Sequence, residues 1–312
     1  ATAVAAAAIA ATTAESAAAD IKTSPAQLAL VAVPLARAAS VPEERSGALR
    51  LTPIQRWFLE QRQPDEHHFN QAVLLRLREP GARLDPALLE RALGQLPRHH
   101  EALRSRFVRE DSGVRAFLAE PDDAPVCERV DLSRVPESER ARAVEEVATR
   151  TQGSLSLERG PLLRAVLMDL GPERSQRLLI VIHHLAVDWV SWSILLEDLA
   201  GMYAALERGE PVRPPSRGSS FQQWARRLVE HAHSAQVRGE RELWRTAAVS
   251  GRLPVDWEGG ENTVASAREL EVALSAEETR ALLQEVPEVY RTQINDLLLT
   301  ALVQVLRAWT GQ

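Results

Sequence analysis

The chain has 312 residues, 45% hydrophobic and 26% charged, an ordinary globular balance that can support a sizeable core in about two domains. Lys and Arg total 37 against 43 Asp and Glu, a formal net charge of -6, which argues against nucleic acid or an anionic membrane as the main partner. Cys127 is the sole cysteine, which excludes an intrachain disulfide and a cysteine-based zinc site and fits a cytoplasmic setting.

Residues 1–47 read as an Ala-rich linker or the tail of a carrier protein. The apolar run Ala3–Ala11 is too short to span a bilayer, and no basic stretch precedes it. Thr23-Ser24-Pro25 looks like a helix start, with a short helix over Ala26–Arg37 disturbed by Pro34. The folded region begins near Leu51. A helix is expected over Pro53–Gln61 with its proline in the first turn, then a strand over Phe69–Leu77 with Val73, Leu75 and Leu77 on one face. Asp85-Pro86 opens a helix to about Leu96. Strands follow at 103–109, 114–119 and 127–131, then a helix over Glu137–Thr151. Leu162–Asp169 and Arg177–Ile182 read as paired strands around Gly171-Pro172. A long helix covers Val190–Leu206, a Pro/Ser/Gly loop Pro211–Ser220, and two helices lie near 220–233 and 235–247. After an irregular crossing at 249–266 come a strand, Leu270–Leu274, and helices over Ala276–Glu285 and Gln293–Trp309. The reading is two α/β lobes: 48–250, and 251–312 as the crossing and the start of a second lobe too short to be stable alone.

Three adjacent histidine pairs stand out: His67-His68, His99-His100 and His183-His184. Neighbours on a strand point to opposite faces, so a pair offers one side chain to a given site. The segment Leu178–Leu196 runs a buried strand into His183-His184, then a short loop with Asp188, then a helix. A histidine at a strand end can take or give a proton near neutral pH. An Asp four residues on can cap the helix or pair with an arginine. Three readings remain open on these residues: a core histidine pair with a helix cap, an acid/base site, and a metal site of two histidines and an aspartate. Divergence of neighbouring histidines disfavours the last, so no metal is expected. Ser191 lacks a nucleophile-elbow context, which excludes a serine hydrolase. Trp57, Phe58 and Trp192 read as core aromatics, Tyr290 as packing, His67 and His68 as an exposed loop. His99-His100 fall at a helix end, and Asn295 and Asp296 cap or brace the last helix.

His183-His184-Leu-Ala-Val-Asp188 resembles the HHxxxD motif of the condensation-domain superfamily of nonribosomal peptide synthetases. The extension Val190-Ser191-Trp192 with Ile194-Leu195-Leu196 is similar to the epimerization subfamily. So are Leu51-Thr-Pro-Ile-Gln55-Arg-Trp57-Phe58 with His67-His68-Phe69-Asn70-Gln71, and Thr292-Gln-Ile-Asn295-Asp296-Leu-Leu-Leu-Thr-Ala301. His100-Glu101-Ala-Leu-Arg104 resembles the superfamily's second motif. The chain departs from the family at Trp189, where glycine is frequent; an indole there would narrow the channel or shift the loop.

The resemblance implies an α/β fold of two chloramphenicol-acetyltransferase-like lobes flanking a channel, the second incomplete here. It implies L-to-D inversion at the α-carbon of an aminoacyl or peptidyl thioester carried on the phosphopantetheine of an upstream peptidyl carrier protein, ahead of a downstream condensation domain. His184 is then the acid/base group and His183 structural. Asp188 holds the loop through Arg104, Ser191 orients the site, and a helix-start N–H assists an oxyanion. Trp189, Trp192, Gln55, Trp57, Asn295 and Asp296 belong to the channel or the motifs. No cofactor is expected in the domain, and a glutamate implicated in the chemistry is expected beyond Gln312, leaving this chain alone inactive and its last helix mobile, aggregating or packed on material beyond this sequence. The competing readings are a peptide-bond-forming condensation domain and a catalytically silent docking module.

Overall fold

The computed structural model describes residues 47–77, 83–172, 174, 176–213, 218–247, 253–260 and 263–311. The expected helix over Ala26–Arg37 and the linker before it lie outside these. The chain divides into two units, Ala1–Arg238 and Gly239–Gln312.

The first unit is built on a four-stranded sheet in the order β2 (Asn70–Arg76), β7 (Arg177–His183), β6 (Leu163–Asp169), β5 (Cys127–Asp131). β2, β7 and β6 pair antiparallel, whereas β5 joins β6 in parallel. The near-continuous apolar runs of β6 and β7 follow from burial on both faces. Leu163, Ala165 and Leu167 with Leu178, Ile180 and Ile182 face one core, shared with Leu89, Leu93, Leu199 and Met202. Val166, Met168, Leu179 and Val181 face another, shared with Val147 and Ala148. Helices α2 (Pro86–His99) and α4 (Trp189–Glu207) therefore cover one face and α3 (Glu137–Gln152) the other. Burying one leucine of this kind contributes roughly 1.5–3 kcal/mol. Helix α2 starts where Asp85 accepts from the N–H groups of Ala87 and Leu88, with Pro86 in the first turn.

A second sheet orders β1 (Gly47–Leu49), β4 (Gly113–Leu118) and β3 (Ser105–Glu110). Its hairpin closes at Gly113, whose φ of 130 excludes most side chains. Its core takes Phe58 and Leu59 from α1 (Pro53–Glu60) and Ala225 from α5 (Phe221–Ala232). Helix α1 buries Gln55, Phe58 and Leu59, which share one face. Trp57 lies off that face and is 59% exposed, so the sequence expectation of a core aromatic is corrected there. Phe58 and Trp192 are buried.

The short helix α6 (Ala235–Gly239) reaches the boundary of the two units. The second unit holds α7 (Arg241–Ala247), then α8 (Ala276–Arg280), a π-helical turn Ala281–Glu285 and α9 (Val286–Tyr290) in one run, and α10 (Ile294–Thr310). The run ends at Arg291, left-handed at φ 51. Gln293 and Asp296 form a reciprocal cap on α10, as the sequence suggested for Asp296; Asn295 is exposed. Leu270–Leu274 does not form the expected strand. Its alternation is strand-like, but it has no ladder partner among the described residues, and Leu270 is 92% exposed. Tyr290 is likewise exposed rather than packed.

Candidate active site

The end of β7 separates the two histidines of the central pair. His183 is the last strand residue, opposite Asn70, and is 0% exposed. Its Nε2 lies 2.8 Å from the Glu66 carbonyl oxygen, and its Nδ1 accepts from the Leu185 N–H at 3.1 Å. A carbonyl only accepts, so Nε2 carries the proton and the ring is neutral. Burial pushes its pKa down to about 4, against the raising effect of the Glu66 contact.

His184 is exposed. Its backbone N–H donates to Phe69 at 2.8 Å, extending the β2–β7 pairing by one bond. The Phe69 ring stacks on the imidazole at 5.1 Å and 15°, and Phe58 stacks on Phe69 at 5.0 Å. Nδ1 lies 2.9 Å from the Val187 carbonyl oxygen, so the proton sits on Nδ1 and the lone pair on Nε2. Val187 is itself buried in the main core, which fixes the carbonyl that holds the ring. This leaves an exposed imidazole with a basic nitrogen directed away from its own loop.

The loop closes on Asp188, the N-cap of α4. Its carboxylate accepts from the Ser191 N–H at 2.8 Å and the Ser191 hydroxyl at 2.6 Å. Those two bonds, aided by the charge relation to His184, hold the carboxyl below its ordinary range. The bracing expected through Arg104 is not made. The buried Arg104 donates from Nε to the Pro97 carbonyl at 2.9 Å and from its other arm to the Ala119 carbonyl. A planar guanidinium satisfies carbonyls at the end of α2 and beyond β4, while Asp188 caps its own helix. The Ser191 N–H is taken by that cap, which removes it as an oxyanion donor.

Two contacts were not anticipated. Gln55, with its amide oxygen capping Thr52, donates from Nε2 to the Leu185 carbonyl at 3.4 Å and so ties α1 to the loop. Gln71 on β2 accepts from the Trp192 indole N–H at 2.7 Å and meets His184 Nε2 at 3.1 Å. The family resemblance singled out 67–71, but the β2–β7 register, Gln71 opposite Ile182, was needed to bring it to His184. Trp189 projects from the first turn of α4, 84% exposed.

The other pairs play different parts. His67 is exposed, as the sequence suggested, and accepts the Leu157 N–H at 3.2 Å from a 3-10 turn. That turn borders a cavity of about 530 Å³ lined by Arg62, Glu66, His67 and Arg109, and His184 does not line it. His100 caps the end of α2 and reaches Asp198 on α4 at 2.7 Å. With His99 these form the one group among the described residues whose ligand atoms lie within 4.8 Å of one another. The His183, His184 and Asp188 side chains do not form such a group. No helix among the described residues is long and apolar enough to cross a membrane.

The covered sheet and the strand-to-helix histidine turn place the chain in the chloramphenicol-acetyltransferase-like α/β class. The condensation-domain family matches residues 45–312, and the chain belongs to that family. It is 45% identical over 270 residues to chondramide synthase of Chondromyces crocatus, an alignment covering 85% of this chain and 7% of that protein. It is 34% identical, at a TM-score of 0.74, to the crystal structure of the epimerization domain from the third module of tyrocidine synthetase B, covering 86% of this chain and 62% of that one. The starter condensation domain of rhizomide synthetase shares the fold at a TM-score of 0.54 and 24% identity, over 66% of this chain and 49% of that domain. The chain thus spans a small part of the curated synthase and under two thirds of the epimerization domain.

Proposed function

We propose that this domain inverts the α-carbon of an aminoacyl or peptidyl thioester carried on the phosphopantetheine arm of a peptidyl carrier protein, with His184 as an acid/base group. The observation that carries the reading is the exposed imidazole whose Nδ1–H is spent on Val187, which makes Nε2 the basic nitrogen; a substrate proton reaches it by displacing the Gln71 amide. The likeness to an epimerization domain supports it. In the proposed step the α-C–H bond breaks, the proton moves to Nε2, and the electron pair passes into the thioester as an enolate. A second group returns a proton to the opposite face. The thioester acidifies that hydrogen, so the step calls for no cofactor within the domain.

The family itself favours a second reading, peptide-bond formation between two carrier-bound substrates. Incubation of the domain with a loaded carrier protein in deuterated water, followed by mass spectrometry, separates the two. Deuterium at the α-carbon supports epimerization. A lengthened peptide without exchange overturns it in favour of condensation.

A further inference from the structure

We infer that Gln71 is a positioning residue that fixes where the proton sits on His184, an inference that rests on the acid/base reading of that histidine. Trp192 sets the first constraint. An indole N–H only donates, and it lies 2.7 Å from the Gln71 amide oxygen. Trp192 is buried in the main core, so its N–H holds a fixed direction. The Gln71 carbonyl must therefore face Trp192, and its NH2 faces His184 Nε2 at 3.1 Å. Since NH2 only donates, Nε2 must accept. The Val187 carbonyl independently requires the proton on Nδ1. Two contacts on opposite sides of the ring thus select the same neutral tautomer.

The arrangement has a chemical consequence. Once Nε2 takes a proton, its N–H meets the Gln71 NH2, donor against donor. Rotating the amide would relieve that clash but leave the Trp192 indole, itself in the core, against a second donor. Gln71 therefore holds Nε2 as the accepting nitrogen at rest and favours prompt release of a captured proton. The charged and titratable neighbours are Asp188 beyond the loop and the neutral, buried His183 on the strand.

The test uses ring 15N shifts and long-range proton correlations of His184 in the full 312-residue chain, assigned by their loss in His184→Gln. The wild-type ring is expected as the neutral Nδ1–H tautomer. Gln71→Met, of similar volume, should weaken the preference for that tautomer without reversing it, since the Val187 carbonyl still accepts from Nδ1. Gln71→Glu keeps the Trp192 bond but turns the second atom into an acceptor, so it should place a proton on Nε2 and raise the pH at which the ring titrates. In a competent domain supplied with loaded carrier protein, Gln71→Met should lower kcat for α-proton exchange roughly tenfold with KM unchanged. A wild-type ring protonated on Nε2, or a ring indifferent to Gln71→Glu, overturns the assignment. If the ring responds as expected while the wild-type domain exchanges no α-deuterium, the assignment of Gln71 stands and the epimerase reading fails.

Discussion

The Nδ1 atom of His184 lies 2.9 Å from the carbonyl oxygen of Val187, three residues along the same loop. The ring is thus oriented by its own main chain, and removing it disturbs little else. His184→Ala should reduce α-proton exchange by about 100-fold or more. Its unfolding free energy should change by about 1–2 kcal/mol, because the contacts of the exposed ring to Val187 and Gln71 and its stacking on Phe69 are lost. Exchange at the wild-type rate in this variant would remove His184 from the chemistry.

His183 answers to pH instead. Its folded pKa, about 4, lies below the ordinary value of 6.5, so the unfolded chain binds the proton more readily. The stabilising contribution is complete above pH 6.5 and is lost as pH falls through about 4. Its size is roughly 3 kcal/mol. Urea unfolding across this range should show the decline, and His183→Gln should flatten it. An unchanged slope in the variant would assign the acid sensitivity elsewhere.

Asp188 is a helix cap, so its removal should cost about 1 kcal/mol rather than the several expected of a buried ion pair. For a domain of this size that is a fall in Tm of about 2–4 °C. Asp188→Asn, which keeps an accepting oxygen, should recover most of it. Arg104→Met is expected to be the more destabilising change, by about 1–3 kcal/mol, because it removes a buried guanidinium and strips donors from the half-buried Pro97 and Ala119 carbonyls. Thermal unfolding of the three variants ranks them; equal losses for Asp188→Ala and Arg104→Met would contradict the separate roles.

Cys127 should be chemically quiet. Burial, and then the Glu90 carboxylate, push its thiol up to about 12. Alkylation at pH 8 should run at least roughly 100-fold slower in the folded chain than in urea, since the thiolate is the reacting form. Rapid native labelling would show that the β5 edge opens.

Much of this was legible in the sequence because the strands and helices carry strong periodic signals. The runs Leu163–Asp169 and Arg177–His183 are apolar at almost every position since both faces are covered, and the amphipathic leucines of Pro86–His99 mark one of the covers. The divergence of His183 and His184 followed from strand geometry alone. What escaped was set by register and by tertiary partners. The link from Gln71 to His184 depends on β2 pairing with β7, and no local pattern specifies that alignment. The resemblance implied a link from Arg104 to Asp188, yet Arg104 turns to the nearby Pro97 and Ala119 carbonyls while Asp188 caps its own helix. Leu270–Leu274 has the alternation of a strand, but alternation cannot supply the neighbour that a ladder needs.

The turn from β7 to α4 acts as a ruler. Its first residue is pinned to Phe69, its second carbonyl is gripped by Gln55, the Val187 side chain is sunk in the core, and its last residue is tied to Ser191. Three residues between His184 and Asp188 satisfy all four fixings together. One residue more or fewer would slide the ring off the Val187 carbonyl or pull the helix start out of reach of its cap. The segment should therefore tolerate exchange of Leu185 or Ala186 for other side chains while rejecting any change of length. Grafting this turn between related domains should succeed or fail on residue count before residue type.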